Sequence, residues 1–447
     1  MRYIPHTDQD VRRMLQAVGV DSVEGLFASI PEKLRLDRAL DLPAPLAEPG
    51  LEKLLGGLAA RNTGSTDRAA LFIGAGAYVH HVPAAVDQLL LRGELFTAYT
   101  PYQAEVSQGT LQSIFEYQSM MASLLGTDVV NASMYDGASA TAEAMLMALR
   151  IKRKKPRLLL ARSVHPEVRA TCRTYLAEHD PAPQEIGFSA DGTTDLEALA
   201  GQLDDQTAAV VVQQPNALGC IEPLDRIAEQ AHAAGALLLA VVLEPVSLGL
   251  LEAPGTLGAD IVTGEGMGLG TGLNFGGPGL GMFGASRRHV WQMPGRLVGQ
   301  TSDAAGQTGY VLTLAAREQH IRRARATSNI CTNEGLCSLA AAIHMSLLGK
   351  QGFVELARIN AANARACRER LAAAGIERAC AAPAFNEFAV RVPGDLEAKL
   401  AALADAGVLG GLALERFYPE LAGQLLIYVN ELTTLEQVDQ LVAGLAS

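Results

Sequence analysis

The chain has 447 residues, 49% hydrophobic and 19% charged, with a formal net charge of −12. That length exceeds one ordinary core and fits two or three domains. The acidic balance argues against a nucleic-acid partner and against docking on anionic membranes. The N-terminus MRYIPHTDQDVRRML has no apolar segment followed by a small-residue cleavage site. The longest apolar stretch, Ala233 to Leu243, falls short of the ~20 residues of a membrane helix, so a cytoplasmic protein is expected. Six cysteines, none in a CxxC or CxxH pair, read as reduced and mostly buried thiols.

Residues 1–66 read as a helical arm, with Asp21 placed to cap a helix near Val23–Ala28 and loops marked by Pro31, Pro43 and Pro45. From residue 67 to about 332, short apolar runs alternate with amphipathic segments. The runs are Val129–Ala132, Arg157–Ala161, Ala208–Val212, Leu237–Val242, Ile261–Thr263 and Gly279–Phe283. The segments Gly137–Leu149, Glu167–Leu176 and Asp225–Ala234 between them carry apolar residues at helical spacing. Such alternation predicts an α/β domain whose mainly parallel sheet has helices on both faces. Ligands of such sheets lie beyond the carboxyl ends of the strands. From residue 333 to 447 the pattern is that of a smaller C-terminal α+β domain. Helical stretches Asn333–Leu348 and Val354–Ala374 flank a break at Gly349–Gly352, and Phe388–Val392, Leu396–Ala406 and Leu425–Val429 follow.

Four loops carry chemistry-bearing residues. Phe72–Pro83, FIGAGAYVHHVP, holds a GxG that reads as a backbone turn more readily than as a phosphate cradle, and adjacent His80 and His81 do not chelate one metal easily. Tyr99–Gly109, YTPYQAEVSQG, crowds polar groups onto a loop in which Pro101 holds Thr100 extended; a site and a polar interface loop are equally good readings. Asn131–Leu146, NASMYDGASATAEAML, turns at Asp136-Gly137 into a helix beginning at Ser139 or Thr141. Its start is either an anion site or a well-capped helix end. The fourth run, Gln213–Gly281, passes from a proline-asparagine turn, QQPNALG, through the strand end AVVLEPVSLG to the glycine-rich LNFGGPGLG. That order is found in pyridoxal-phosphate enzymes of fold type I. There an aspartate at a strand end pairs with the pyridine nitrogen and a lysine before the glycine-rich turn holds the cofactor covalently. The chain has seven lysines, and none lies between Lys155 and Lys350. Covalent attachment needs a primary amine, which the always-protonated guanidinium of arginine does not replace.

Taken with GAYVHHVPAAVDQL, YTPYQAEVSQGTL, NASMYDGASATAEA, MPGRLVGQT, QHIRRARATSNICTN and FNEF, these loops make the chain resemble the P-protein of the glycine cleavage system over nearly its whole length. It is most similar to the α chain, or subunit 1, of the two-chain bacterial form. The resemblance implies a fold-type I fold with Gly268 at the Schiff-base lysine position and apolar Val241 near the pyridine-binding aspartate. It implies pyridoxal phosphate held covalently on a partner β chain and none covalently on this one. It implies glycine decarboxylation, transfer of the aminomethyl group to the lipoyl arm of H-protein, an α2β2 assembly and no metal. His165 falls where related decarboxylases stack an imidazole on the ring, and a structural role is expected for it here. Tyr99, Tyr102, Glu105 and Gln108 are the candidate contributions to a shared site, with Asn329 and Arg296 as weaker ones. The rivals are a non-catalytic scaffold subunit and a self-sufficient aminotransferase or decarboxylase; the latter needs a lysine that this span lacks.

Overall fold

The computed structural model describes residues 5–62 and 70–447, and the boundary expected at 66/67 lies outside them. The chain divides into two compact units, Met1–Asn62 and Thr63–Ser447. In the first, the helix Asp8–Val18 opens with a capping box, Thr7 and Asp10 each bonding the other's backbone, and stops at Gly19, whose φ of 84° suits a residue without a β-carbon. A second helix spans Glu48–Ala59. The expected helix at Val23–Ala28 is a single 3-10 turn, Glu24–Phe27, and Asp21 does not cap it. Ser22 Oγ accepts from Gly25 N instead, at 3.2 Å. Among residues 5–62 no side chain is buried, and Leu34, Leu40, Leu42 and Leu46 are among the large apolar residues standing in solvent.

In the second unit, a short strand β1 (Ala70–Leu71) precedes the main sheet. That sheet is built from β2 (Val129–Val130), β3 (Arg157–Ala161), β4 (Gln184–Ile186), β5 (Thr207–Gln213), β6 (Leu237–Val242), β7 (Ile261–Glu265) and β8 (Gly281–Ala285). Its order is β2-β8-β7-β6-β5-β3-β4. The pairs from β4 through β7 are parallel, and β8 runs antiparallel to both β7 and β2. All residues of β5 and β6 are buried. Unbroken apolar runs of this kind are what a parallel sheet covered by helices selects. The helix Gly137–Ile151 begins two residues before Ser139, because Asp136 is its cap: Asp136 Oδ1 accepts from Ser139 N at 2.7 Å.

A hairpin of β9 (Leu297–Ser302) and β10 (Thr308–Thr313) follows. The long helix Gly335–Ala373 bends at Gly349, whose φ of 60° and ψ of 179° interrupt it where the sequence places a break. The C-terminal part has an antiparallel sheet of β11 (Glu387–Arg391), β14 (Gln424–Tyr428) and β13 (Leu412–Ala413), in that order. Strand β12 (Val408–Leu409) pairs with β1 in parallel. Phe72, Leu371, Phe388, Val390, Leu425, Ile427 and Leu441 form a core of their own there.

The closest approach in the main sheet is at Gly264, where a β-carbon would lie 1.8 Å from the Val242 carbonyl oxygen. Gly264→Ala therefore forces β6 and β7 apart. The expected loss is about 3 kcal/mol, at the upper end of ordinary overpacking costs, read as a lower midpoint in urea unfolding; an unchanged midpoint contradicts this packing.

Candidate functional site

The turn after β1 makes its sharp course with glycines. A β-carbon on Gly74 would meet Glu387 Oε1 at 2.6 Å, and Gly76 has a φ of +88°. The turn delivers Tyr78 and His80 to the ends of β6, β11 and β14. Glu387 Oε1 accepts from Ala75 N at 2.6 Å, and Oε2 accepts from the Tyr78 hydroxyl at 2.9 Å. Burial pushes the Glu387 carboxyl up to about 7 against those two donors.

His80 is buried between two carboxylates. Its Nε2 faces Glu244 Oε2 at 3.0 Å, two residues beyond the end of β6, and its Nδ1 faces Glu431 Oε2 at 3.0 Å. With an acceptor on each nitrogen the ring donates twice, as an imidazolium. Burial alone lowers its pKa, but the charge of Glu244 and the hydrogen bonds of both carboxylates overcome this and raise it to about 10. Burial likewise raises Glu431, and His80 reverses it, bringing the carboxyl down to about 2. The remaining oxygen valences are filled. Val246 N and Asn386 Nδ2 donate to Glu244, and His81 N and Asn360 Nδ2 donate to Glu431. Asn386 Nδ2 also donates to Asn360 Oδ1 at 3.2 Å. Both carboxylates turn to the imidazole, and among the described residues no group of His, Cys, Asp and Glu is arranged to hold a metal ion.

Gly268 sits against this network: a β-carbon on it would lie 3.2 Å from His80 Cδ2. The loop before it is tied to the start of the helix Gly137–Ile151. Glu265 accepts from Gly137 N at 3.0 Å through Oε2, and from Met267 N at 3.0 Å and Leu280 N at 2.7 Å through Oε1. Burial raises the Glu265 pKa and these three amides oppose it. Val241 is fully buried within β6. His165 caps the helix Pro166–Tyr175 by accepting from Glu167 N at 3.3 Å, and it lies beside Gly76 and Phe417.

The YTPY loop lies apart from this cluster. Tyr99 is 78% exposed and lines a pocket of about 290 Å³ with Leu95, Thr110, Asn333, Glu334 and Leu336. Burial, and the charge of Asp136, raise the Glu334 pKa. Tyr102 is exposed under the guanidinium of Arg296, 5.7 Å from its ring centre, and Glu105 is exposed. Gln108 is engaged elsewhere: its amide donates to Ala104 O and Tyr310 O and accepts from Tyr310 N, clasping β10. Arg296, 4% exposed, joins the loop to the SNICTN segment. It donates to Thr100 Oγ1 (3.3 Å), Thr332 Oγ1 (2.9 Å), Asn333 Oδ1 (3.3 Å) and Cys331 O (2.7 Å). Asn329 is exposed, its carbonyl accepting from Gln319. Tyr99, Tyr102 and Glu105 thus share one surface stretch and Gln108 opens the helix Gln108–Leu125 that follows, but only Tyr99 reaches the pocket.

A profile of the glycine cleavage system P-protein family matches residues 1–445. The chain is 51% identical over 447 residues to the probable glycine dehydrogenase (decarboxylating) subunit 1 of Anaeromyxobacter dehalogenans, covering 99% of each chain. It is 43% identical, at a TM-score of 0.89 and over 100% of this chain and 99% of the other, to a crystal structure of glycine decarboxylase (P-protein) of the glycine cleavage system in inhibitor-bound form. The pyridoxamine-pyruvate aminotransferase of Mesorhizobium loti shares the fold at 18% identity, with a TM-score of 0.59 over 86% of this chain and 93% of the other. The architecture is that of the fold-type I pyridoxal-phosphate enzymes.

The residues present do not fit that cofactor. At Gly268, the position expected for its lysine, His80 crowds even a methyl group, 3.2 Å from His80 Cδ2. The amides at the start of the helix Gly137–Ile151, where a phosphate would sit, already serve the carboxylates of Glu265 and Asp136. A phosphate brought there would have to compete with these carboxyl groups for the Gly137 and Ser139 amides. The one acidic side chain leaving the end of β6, Glu244, is paired with His80.

His80 is the member whose removal reads most directly. Its folded pKa of about 10 lies above the ordinary 6.5. The stabilisation it confers is therefore complete below pH 6.5 and is lost as pH rises through 10. His80→Ala leaves two buried carboxylates without a counter-charge, at a cost of about 3–5 kcal/mol. Urea unfolding across this pH range should show lower stability for the variant near neutrality and a shallower decline toward pH 10. Parallel curves would refute the imidazolium assignment.

Proposed function

The chain belongs to the glycine cleavage system P-protein family, and from that premise we propose that it is subunit 1 of a two-chain glycine decarboxylase whose pyridoxal phosphate is held by the other chain. The observation that carries this reading is the filled site around Gly268, which has the fold of a cofactor site and none of its attachments. In this proposal a lysine-bearing β chain holds the cofactor, which supplies the electron sink for loss of the glycine carboxylate. The aminomethyl group then passes to the disulfide of the lipoyl arm on H-protein. The assembly is α2β2. The leucines exposed along residues 5–62 suit an arm that is covered by another chain.

This chain's own part is positioning at a shared face. Tyr99 offers a phenol at the mouth of the 290 Å³ pocket, where it can orient a small zwitterion. Glu105, exposed on the same loop, can hold an ammonium group. Tyr102 is steadied by the Arg296 guanidinium, which also anchors Thr100 and the segment Cys331–Asn333. Gln108 acts one step removed, fixing the loop to β10.

Co-expression with the lysine-bearing chain tests the reading, with glycine-dependent carbon dioxide release as the assay. The pair is expected to be active and this chain alone inactive. Tyr99→Phe and Glu105→Gln should each lower turnover of the assembled enzyme by ~10-fold or more, the scale of a lost positioned polar group. Unchanged turnover in both variants would remove the loop from the mechanism and favour a scaffold role. Full activity of the chain alone would overturn the two-chain reading.

A further inference from the structure

Two of the six cysteines meet where the main sheet adjoins the C-terminal sheet. Cys220 follows the proline-asparagine turn after β5, and Cys380 lies in the stretch between the long helix and β11. The backbones run side by side there. Ile221 N donates to Pro383 O at 2.9 Å, Ala382 N donates to Asp191 O at 3.1 Å, and Cys220 forms an isolated antiparallel bridge with Ala384. Asn216 Oδ1 holds Cys220 N at 3.0 Å, so the position of that residue is built in.

The sulfurs converge on Gly192. A β-carbon on this residue, whose φ is +93°, would stand 2.6 Å from Cys220 Sγ and 2.7 Å from Cys380 Sγ. The two thiols therefore share the space that a side chain at 192 would fill, and Cys220 Sγ donates to the carbonyls of Asp191 at 3.7 Å and Leu218 at 3.9 Å. Cys172, Cys337 and Cys367 are single buried thiols, and Cys331 is exposed.

The pair is not sealed off. An open pocket of about 620 Å³ is lined by Asp191, Thr193, Ile221, Ala382 and Pro383, chain neighbours of Gly192, Cys220 and Cys380, and Cys380 keeps 8% of its surface exposed against 1% for Cys220. The neighbouring Cys220 thiol lowers the Cys380 thiol pKa against burial, and Arg378 lowers it further. That makes Cys380 the more nucleophilic partner.

We propose that Cys220 and Cys380 are a redox-active dithiol that small peroxides oxidise to an intrachain disulfide tying the segment 379–384 to the loop 216–222. The Cys380 thiolate attacks a peroxide oxygen. An S–O bond forms, the O–O bond breaks, and hydroxide or an alkoxide leaves and takes up a proton. The Cys220 sulfur, giving up its proton, then displaces water from the sulfenic sulfur as the S–S bond forms and the S–O bond breaks. For hydrogen peroxide the net change is two thiols and one peroxide to one disulfide and two waters. A dithiol reductant reverses it.

The test treats the full chain with hydrogen peroxide, alkylates the remaining thiols after unfolding, and maps non-reduced peptides by mass spectrometry. The expected result is a linked pair of fragments containing Cys220 and Cys380, a loss of two free thiols per chain, and recovery of both on reduction. Cys220→Ser and Cys380→Ser should each abolish that link and leave the other buried thiols unmodified. Both cysteines still alkylatable when Cys331 is fully oxidised would overturn the proposal, as would linkage of either one to Cys331. Should a variant fail to fold, the map of the unaltered chain decides the question by itself.

Discussion

A buried imidazolium held by two carboxylates sits where the three walls of this protein meet. His80 comes from the turn after β1, Glu244 from the end of β6 and Glu431 from just beyond β14. Each partner alone would be costly to bury, since a charge in a low-dielectric interior needs both a counter-charge and hydrogen bonds. Here the imidazolium has one carboxylate on each nitrogen, and the carboxylates take further donors from Val246, Asn386, His81 and Asn360. The network joins the main sheet to the C-terminal sheet and the long helix. It also occupies the space beside Gly268 that covalent cofactor binding would require. One arrangement thus ties these elements together and supports the proposal that this chain holds no cofactor of its own.

A parallel substitution is made at the other end of the same site. The helix start at Gly137 retains the anion-binding character of its position, but the anion is internal: Glu265 receives the backbone amides of Gly137, Met267 and Leu280. A side-chain carboxylate in place of a bound phosphate keeps the loop 265–280 in register with the helix without a ligand. The family's architecture is thus kept with an internal anion at this helix start.

Much of the fold was legible because a covered parallel sheet writes itself as unbroken apolar runs. Arg157–Ala161 and Leu237–Val242 are strands with the expected ends, and Gly349 interrupts the long helix where the glycines mark a break. The β9–β10 hairpin does not announce itself as strands: only Leu297 and Val298 are buried, the rest do not alternate, and its turn rests on Asp303 and Gly306. The helix expected at Val23–Ala28 is only a 3-10 turn because no burial reinforces its intrinsic tendency, none of residues 5–62 being buried. At the site, the absent lysine and the polar YTPY loop were visible in the residues alone. The His80 network was not, because Glu244, Glu431 and His80 are separated by 164 and 351 positions and each reads singly as an ordinary strand-end or loop residue. Gln108 misled for the converse reason: an amide on a polar loop looks the same whether it faces a ligand or the backbone of Tyr310.

The central claim is that this chain's own site is closed to pyridoxal phosphate. It is tested most directly by adding the cofactor to the chain purified alone, reducing with borohydride and locating any pyridoxyl group by peptide mapping. No saturable, one-to-one chromophore is expected, only scattered labelling of the lysines outside residues 156–349. A stoichiometric, tightly retained cofactor would contradict it.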